Sequence, residues 1–382
     1  MGGKIVFVSH SGDNTGAPIV LSRFFRWAIR SEREDVFFVF RYSGELAEQC
    51  KKEYGGERVY TIRQTSPHDI PYLVKPLSKL VDLVLLLMLF KSLKPSVVVA
   101  NSLINTTALI AGLWVNAKVI VWAHEVTGAI NDPFHLRGFW IKKAHAGIGV
   151  SRQSCDFLNE LGLSRSKIHL IHNGFDMVRI FPEDSFRRKK NPRDLLILGA
   201  LAVWSPNKRL DLAIETAIRV AESGKFSQVR LNIGGLPDPW FPNLIKQTLG
   251  SFRDMPKNLE IRIMGQIDQD KLYDFYENID GVLLTSDKES LPTVGIEALA
   301  YQTPVFSYED LSGAREILGD LALEAEERTG VALAGEVIHF FDSPGFAASL
   351  ANWQRRALER ARLFTLENQW KNFQKVFNEI IL

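Results

Sequence analysis

Short runs of consecutive apolar residues alternate with longer amphipathic segments along the first half of the chain. The short runs are rich in Val and Ile and mostly lack polar alternation, which is typical of parallel strands covered on both faces. The longer segments carry apolar residues at helical spacing. The pattern predicts strands at Lys4–Val8, Val36–Phe40, Ser96–Ala100, Lys118–Trp122, Ala146–Val150 and Lys167–Ile171, with helices that include Ala17–Arg30, Pro76–Ser92 and Arg152–Leu161.

The same alternation restarts after a polar, basic, proline-bracketed segment at residues 181–191, which is typical of a linker. Repeated strand–helix–strand units favour doubly wound α/β domains. We therefore expect two Rossmann-like α/β domains, at 1–180 and 192–364, facing across a cleft that could bind a ligand. The second half predicts strands at Asp194–Leu198, Val229–Ile233, Leu259–Met264, Gly281–Leu284 and Thr303–Ser307, and helices that include Arg209–Ser223, Thr293–Tyr301 and an amphipathic segment at Thr365–Leu382.

Composition narrows the class of protein. The 382 residues are 46% hydrophobic and 24% charged, as in ordinary globular domains. The net charge of +2 does not show the basic excess of a dedicated nucleic-acid binder, so we expect no nucleic-acid partner. Cys50 and Cys155 lie far apart and fit a reducing compartment better than a disulfide or zinc site. With no signal-peptide pattern at its start, we expect a cytoplasmic protein.

The segment from Glu289 to Glu297 places two carboxylates around a predicted helix start. Pro292 suits the first helical turn, where its missing N–H costs nothing, and Leu291 is a poor N-cap. The amides that follow would lack a strong local acceptor and offer an anion site. Carboxylates accept hydrogen bonds from sugar hydroxyls and repel phosphate, so the combination suggests a phosphate flanked by hydroxylated rings. The alternative is that Glu289 is solvated and Glu297 is an ordinary helix residue.

Two other loops follow predicted strands. Gly199 is predicted to end a strand, and the basic pair Lys208 and Arg209 then opens a helix. Cations at a helix start are unfavourable for the helix dipole, so the basic pair needs another reason. Binding of a diphosphate is one such reason, and plain solvent exposure of the two side chains is the alternative. The small-residue loop from Ser11 to Pro18 opens another helix and lets the backbone approach a ligand closely. It matches neither the dinucleotide-binding fingerprint nor the P-loop.

Together these segments resemble the family 4 glycosyltransferases, which are retaining enzymes of the GT-B architecture. The acidic pair matches that family's Glu-x-x-x-x-x-x-x-Glu motif, in its Glu-Ser-Leu-Pro-Thr form. The resemblance covers nearly the whole chain, because further motifs follow in the family's order. They begin at Thr15 (Thr-Gly-Ala-Pro), Trp122 (Trp-Ala-His-Glu), Ile148 (Ile-Gly-Val-Ser), Ile171 (Ile-His-Asn-Gly), Gly265 (Gly-Gln-Ile) and Asp280 (Asp-Gly-Val-Leu).

The resemblance implies a role for each matched residue toward a nucleotide-sugar donor. Glu297 is expected to bind the ribose hydroxyls and Glu289 to lie near the transferred sugar. Lys208 is expected to neutralise the leaving diphosphate, and His124 to contact the sugar near the reacting carbon. Further donor contacts are expected at Gly16 toward the β-phosphate, at the backbone of Gln266 and Ile267 toward the base, and at Ser290, Thr293 and Val294 toward the diphosphate or sugar. The resemblance also implies that the C-terminal helix, 365–382, packs on the first domain.

One position departs from the family pattern. The family usually has Arg just after the glycine at Gly199, where this chain has Ala200. Arg209 is the candidate substitute for donor binding, although Ala does not replace a fork of Arg donors without cost. This departure keeps open a catalytically degenerate subunit that binds sugar nucleotide or glycan. The architecture also leaves open a GT-B epimerase.

The leading interpretation is a retaining enzyme that moves a sugar from a nucleotide-diphosphate sugar to a hydroxyl of a saccharide or lipid-linked acceptor. Its expected pathway is polysaccharide or glycolipid biosynthesis. The donor is a substrate, so we expect no cofactor. Asp268-Gln-Asp imitates a metal-binding signature, but its place before the predicted helix Lys271–Asn278 favours capping, so we expect metal independence.

Two apolar helices bear on membrane contact. The basic and aromatic stretch Arg23–Arg30 suits peripheral contact with the inner face of a membrane. The alternative for this stretch is a half-buried helix with solvated arginines. The apolar run Leu80–Phe90 is too short to span a bilayer, and we interpret it as a buried helix of the first domain.

Overall fold

The computed structural model describes residues 3–33, 35–64, 75–126, 136–176, 192–238, 240–252, 254–268 and 271–381. The chain forms two compact units. The first unit is Met1–Asp176 with Leu366–Leu382, and the second is Met177–Thr365. The predicted linker at 181–191 lies outside the described residues.

The first unit contains a parallel sheet of seven strands. Val97–Asn101 shows why the apolar runs form it, because every residue of this strand is buried and both of its edges are paired. The strands are β1 (Ile5–Ser9), β2 (Val36–Tyr42), β3 (Val59–Arg63), β4 (Val97–Asn101), β5 (Lys118–Ala123), β6 (Ala146–Gly149) and β7 (Ile168–Leu170). The helices before the second unit are α1 (Gly16–Arg30), α2 (Glu45–Tyr54), α3 (Lys75–Leu93), α4 (Thr106–Trp114), α5 (Leu136–Ile141) and α6 (Arg152–Glu160).

The second unit contains a parallel sheet of six strands. Its strands are β8 (Leu196–Leu201), β9 (Val229–Gly234), β10 (Leu259–Gly265), β11 (Gly281–Leu283), β12 (Val305–Tyr308) and β13 (Leu323–Ala325). Its helices are α7 (Leu210–Glu222), α8 (Leu244–Ser251), α9 (Leu272–Glu277), α10 (Thr293–Ala300), α11 (Ser312–Leu318), α12 (Gly330–Asp342) and α13 (Phe346–Ala361). The prediction of two parallel α/β domains is confirmed.

Each sheet reverses its strand order at one point. The orders are β3-β2-β1-β4-β5-β6-β7 and β10-β9-β8-β11-β12-β13, so the reversals lie between β1 and β4 and between β8 and β11. In open α/β sheets, ligands bind beside the carboxyl ends of the strands at such a reversal. The loops after these four strands are therefore the places to look for chemistry, and they carry many of the residues singled out from the sequence.

The last helix, α14 (Leu366–Ile381), belongs to the first unit. Phe373 is fully buried and its ring lies 5.8 Å from Phe7, 5.8 Å from Phe24 and 5.0 Å from Trp122, measured between ring centroids. The side-chain oxygen of Gln369 accepts a hydrogen bond from the backbone amide of Gly174 at 3.1 Å. The helix thus completes an aromatic cluster on one face of the seven-stranded sheet.

The structure decides between the two interpretations of Arg23–Arg30. Phe24 and Phe25 are buried and Arg23 is only 8% exposed, whereas Arg30 is exposed. The stretch is half-buried as in the alternative, because Phe24 and Phe25 belong to the core, but its arginines are not all solvated, since Arg23 is buried.

The interpretation of Leu80–Phe90 as a buried helix is wrong for one face of α3. Leu86 and Phe90 are fully buried, but Leu80, Val84 and Met88 are exposed. The helix has apolar residues of its own on all sides, so the periodicity of the sequence could not show which side faces water. No helix in the described part of the chain is both long enough and apolar enough to cross a membrane.

Removing the Phe373 ring should destabilise the first unit. We expect Phe373→Ala to lower the free energy of unfolding by about 3–5 kcal/mol, because it leaves a cavity among well-packed rings. Denaturant unfolding followed by tryptophan fluorescence measures this change. Asn378→Ala, an exposed site on the same helix, is the matched control and should change stability by less than about 0.5 kcal/mol. Equal effects of the two substitutions would contradict the packing role of α14.

Candidate active site

Three hydrogen bonds join the loops that follow β8 and β11. The amide of Asp287 donates to the carbonyl of Asn207 at 2.8 Å, and the side-chain amide of Asn207 donates to the carbonyl of Lys288 at 3.0 Å. The Thr285 hydroxyl donates to the carbonyl of Lys208 at 2.9 Å. Because the two loops come from neighbouring strands at the reversal, these bonds make them one continuous surface.

On that surface the Lys208 ammonium forms an ion pair with the Glu289 carboxylate. Ser286 donates its hydroxyl to the same carboxylate oxygen at 2.9 Å, so two donors orient it. Both charged side chains remain partly exposed, which leaves them accessible to a ligand. The structure therefore brings together two residues that the sequence separates by about eighty positions.

Arg209 has different binding partners from Lys208. It adopts a left-handed backbone (φ 48°) as the N-cap of α7, directly after a short 3-10 turn at Pro206–Lys208. Its guanidinium binds both oxygens of Asp211, at 2.9 and 3.1 Å, and donates to Asp287 at 3.1 Å. Hydrogen bonding to Asp211 raises the pKa of Arg209 further above its ordinary value. This side chain binds two acidic residues and ties α7 to the loop after β11.

The strand end predicted at Gly199 is wrong by two residues, because β8 continues to Leu201. Ala200 is 2% exposed and packs in the core of the second unit. The methyl group of Ala200 therefore packs in this core, and the chain lacks the fork of Arg donors at this position.

Helix α10 begins beside Glu289 without a side-chain cap. Pro292 is the N-cap residue, so the N-cap lies one residue later than the predicted Leu291, and the Pro292 carbonyl accepts from the Gly295 amide at 2.9 Å. Thr293 and Val294 form the first positions of the helix, where the dipole favours an anion. Ser290 is buried just before them. The uncapped helix start predicted from Leu291 and Pro292 is present.

Glu297 lies one turn into α10 and is only 2% exposed. The Tyr276 hydroxyl donates to its carboxylate at 2.9 Å, and the Tyr276 ring stacks on Tyr301 with centroids 4.9 Å apart. This geometry holds the carboxylate in one orientation. Sequence reasoning missed Tyr276, because its contact with Glu297 joins two helices.

Gln266 and Ile267 lie at the carboxyl end of the edge strand β10. The side chain of Ile267 packs over Gly234, where a Cβ atom would come within 2.6 Å of it. Gln266 donates its side-chain amide to Asp268 at 3.1 Å. The remaining two residues of the Asp-x-Asp sequence lie outside the described residues. In the part of the chain that is described, no group of three or more His, Cys, Asp or Glu side chains could hold a metal ion.

In the first unit, Gly16 is the first residue of α1. A Cβ atom added there would meet nothing within 4 Å. The chain's own packing therefore does not require glycine at this position, and the space beside it is open. The preceding loop is anchored to α2, because the carbonyl of Gly12 accepts from the amides of Leu46 and Ala47 at 3.0 and 3.2 Å.

His124 directly follows β5, and its Nε2 lies 2.7 Å from the side-chain oxygen of Asn101. Asn101 ends β4 and donates its side-chain amide to the carbonyl of Ala17 at 3.1 Å. That bond fixes the amide, so His124 must donate from Nε2 and keep its lone pair on Nδ1. Burial, together with the nearby His10, lowers the pKa of His124 to about 3. The ring is thus neutral, with one defined tautomer.

Two more supporting residues were missed in the sequence. Arg328 donates to the carbonyl of Ser286 at 2.7 Å and lies over the Tyr308 ring, so it stabilises the loop after β11. A Cβ atom on Gly313 would lie 2.5 Å from the carbonyl oxygens of both Glu289 and Ser290. Neither residue lies in a recognisable motif, because each acts through a contact distant in sequence.

Two family models match consecutive parts of the chain. One, described as Glycosyltransferase Family 4, matches residues 30–179, and the other, described as Glycosyl transferases group 1, matches residues 182–358. These matches and the two parallel-sheet domains define a glycosyltransferase of the GT-B architecture. The chain belongs to the family 4 glycosyltransferases, and the resemblance found in its motifs is confirmed.

Among curated relatives, glycogen synthase of Mycobacterium tuberculosis is 25% identical over 261 residues, which are 67% of this chain and 59% of that protein. The chain thus spans less than two thirds of this relative. Mannosylfructose-phosphate synthase of Agrobacterium fabrum is 29% identical over 155 residues, which are 38% of this chain and 34% of that protein.

Solved structures share the fold along almost the whole chain. Anabaena HepE, in complex with UDP and glucose, matches with a TM-score of 0.73 and 17% identity, over 99% of this chain and 100% of that one. Sucrose-phosphate synthase from Thermosynechococcus elongatus also matches with a TM-score of 0.73 and 17% identity, over 99% of each chain. Identities this low show the fold alone.

Adding a single methyl group at Gly313 should disturb the Glu289 loop. We expect Gly313→Ala to cost about 1–3 kcal/mol of stability, since the new Cβ overlaps two backbone carbonyls and the backbone must shift to admit it. Gly335→Ala is the control, because a Cβ in α12 meets nothing within 4 Å. That control should stabilise the protein by about 0.5–1 kcal/mol. Thermal unfolding of both variants measures the difference, and changes of the same sign would refute the overlap.

The protonation state of His124 is also testable. Nitrogen-15 NMR should show a neutral ring protonated on Nε2 down to about pH 5. Asn101→Ala should let the other tautomer appear, because the Nε2 acceptor is lost. Since the folded pKa of about 3 lies below the ordinary value, this group favours the folded state above about pH 6.5 and ceases to do so as the pH falls toward 3. A ring already protonated at about pH 6 would rule out this assignment.

Proposed function

We propose that this protein transfers a sugar from a nucleotide-diphosphate sugar to a hydroxyl of an acceptor. The observation that carries the proposal is one arrangement in the second unit. An uncapped helix start, a lysine ammonium and two oriented carboxylates lie together at the reversal of the sheet. Helix amides and Lys208 suit the diphosphate, and carboxylates suit hydroxyl groups.

Within this proposal, the diphosphate binds at the start of α10, beside Thr293 and Val294. Glu297 accepts hydrogen bonds from the ribose hydroxyls, in the orientation that Tyr276 gives its carboxylate. Glu289 lies beside the transferred sugar. Lys208 exchanges its internal partner for the diphosphate when the donor binds, because its ion pair with Glu289 is partly exposed and inexpensive to open.

The proposed chemistry is transfer of the sugar with retention of its anomeric configuration. The bond between the anomeric carbon and the β-phosphate oxygen breaks, and the acceptor oxygen forms the new bond on the same face. The acceptor proton passes to the leaving phosphate, so no protein nucleophile is needed and the anomeric configuration is retained. Lys208 and the helix amides stabilise the negative charge that develops on the diphosphate, which is the role that a metal ion has in other transferases. We therefore propose a retaining, metal-independent reaction.

The relatives support a saccharide as acceptor. Glycogen synthase and sucrose-phosphate synthase are named for saccharide products, and the HepE structure contains UDP and glucose. A lipid-linked saccharide presents the same kind of hydroxyl. Within this proposal, Lys208 and the amides at the start of α10 bind the diphosphate without an Arg at position 200.

Nucleotide binding separates the roles of Lys208 and Glu289. In a thermal-shift series with UDP, GDP and ADP, one nucleotide should stabilise the wild type by mass action. Lys208→Ala and Glu297→Ala should lose most of that shift. Glu289→Ala should keep or increase it by a few-fold in affinity, because the Lys208 ammonium no longer has an internal competitor, yet it should lose sugar transfer.

The exposed Lys246→Ala serves as the control for loss of a lysine and should behave as the wild type. Transfer is followed with labelled donor and a saccharide acceptor, and NMR of the product reports its anomeric configuration. The proposal fails if no nucleoside diphosphate binds, or if Glu289→Ala abolishes binding as fully as Lys208→Ala does. An inverted product would leave nucleotide binding intact and overturn the retaining mechanism alone.

A further inference from the structure

Helix α3 presents an unusual surface to solvent. Its outward side consists of Leu77, Leu80, Val81, Val84 and Met88, here called the α3 stripe, and these residues are 41–64% exposed. Their spacing of three and four residues places them on one side of the helix, over a length of about 16 Å. Solvent-facing helix sides normally carry charged and polar residues. A continuous exposed row of large apolar side chains marks an interaction surface.

A buried charge keeps the stripe outside. Asp82 is fully buried, forms ion pairs with Arg41 and Arg63, and accepts from the Tyr42 hydroxyl at 2.7 Å. It lies two residues from both Leu80 and Val84, which is about 200° around the helix. Turning the helix to bury the stripe would pull Asp82 out of this network and leave the buried Arg41 and the half-buried Arg63 without their partner, at a cost of several kcal/mol. The apolar side therefore stays exposed in the folded unit.

The end of the stripe is cationic and aromatic. Lys91 and Lys94 are exposed, and they line one surface depression together with Trp114, which is 60% exposed. In the described part of the chain neither lysine pairs with a carboxylate. The only acidic residue of α3 is the buried Asp82. The surface thus joins an apolar row to positive charges with no nearby compensation from the same helix.

These features match an anionic lipid surface. Large apolar side chains enter the boundary between headgroups and acyl chains, and lysines extend their charged ends to the headgroups. Tryptophan favours the same boundary, because its ring is apolar and its N–H is polar. A second copy fits less well, since a pair of α3 helices would leave Lys91 and Lys94 without an acidic partner: the one acidic residue of α3 is the buried Asp82. We propose that the α3 stripe docks this protein onto an anionic membrane surface.

Cosedimentation with lipid vesicles tests the proposal without any nucleotide or acceptor. Vesicles of phosphatidylcholine alone are compared with vesicles that also contain phosphatidylglycerol. The wild type should bind the second kind, and binding should weaken as salt is added. Val84→Glu should reduce the partition coefficient at least about tenfold, because it places a charge in the centre of the inserted row. Lys91→Glu with Lys94→Glu should reduce binding and remove its salt dependence.

Val331→Glu is the matched control, because Val331 is 56% exposed on α12 of the second unit. It should bind vesicles as the wild type does. Circular dichroism checks that each variant is folded, and the lysine variant tests the same surface if Val84→Glu is not. The proposal is overturned if the wild type does not bind anionic vesicles at low salt, or if Val84→Glu and Val331→Glu behave alike. It is also overturned if sedimentation equilibrium shows a stable dimer that Val84→Glu dissociates, since the stripe would then belong to a second copy.

Discussion

The hydrogen bonds between the loops after β8 and β11 determine most of what the second unit can do. They join two segments that are distant in sequence, and they set the Lys208 ammonium against the Glu289 carboxylate. A parallel sheet makes this meeting possible, because it brings the carboxyl ends of neighbouring strands to one edge. Two further residues support the loop after β11. Arg328 donates a hydrogen bond to its backbone, and Gly313 leaves space for that backbone because it has no side chain.

The features predictable from the sequence were those with a local or motif-level signal. Strands such as Val97–Asn101 are apolar throughout, so their burial on both faces was evident, whereas half-buried β3 reads Val-Tyr-Thr-Ile-Arg and was missed. Glu289 and Glu297 stood out through a motif and a helix start. Asn101 and Tyr276 had no such signal, because each acts on its partner across the fold. Sequence patterns reflect residues that are close along the chain, whereas these contacts form only when the sheet assembles.

The helices α1 and α3 also show what sequence patterns could not predict. Both α1 and α3 contain many apolar residues, yet Phe24 and Phe25 of α1 are buried while a row on α3 faces solvent. Hydrophobicity did not show which helix would expose apolar residues. Asp82 determines the exposed side of α3, because a carboxylate that is paired inside the protein fixes the rotation of its helix. A single charged residue in an apolar run was the informative position.

The placement of α14 has a consequence for the order in which the protein is made. Domains generally fold as units during synthesis, with the N-terminal one first. Here the aromatic cluster around Phe7 and Phe24 needs Trp370 and Phe373, which the ribosome adds after the entire second unit. The second unit is continuous in sequence, so it can close its core earlier. The first unit to be translated is therefore the last to be completed, and until then its aromatic surface is open to chaperones and to other nascent chains.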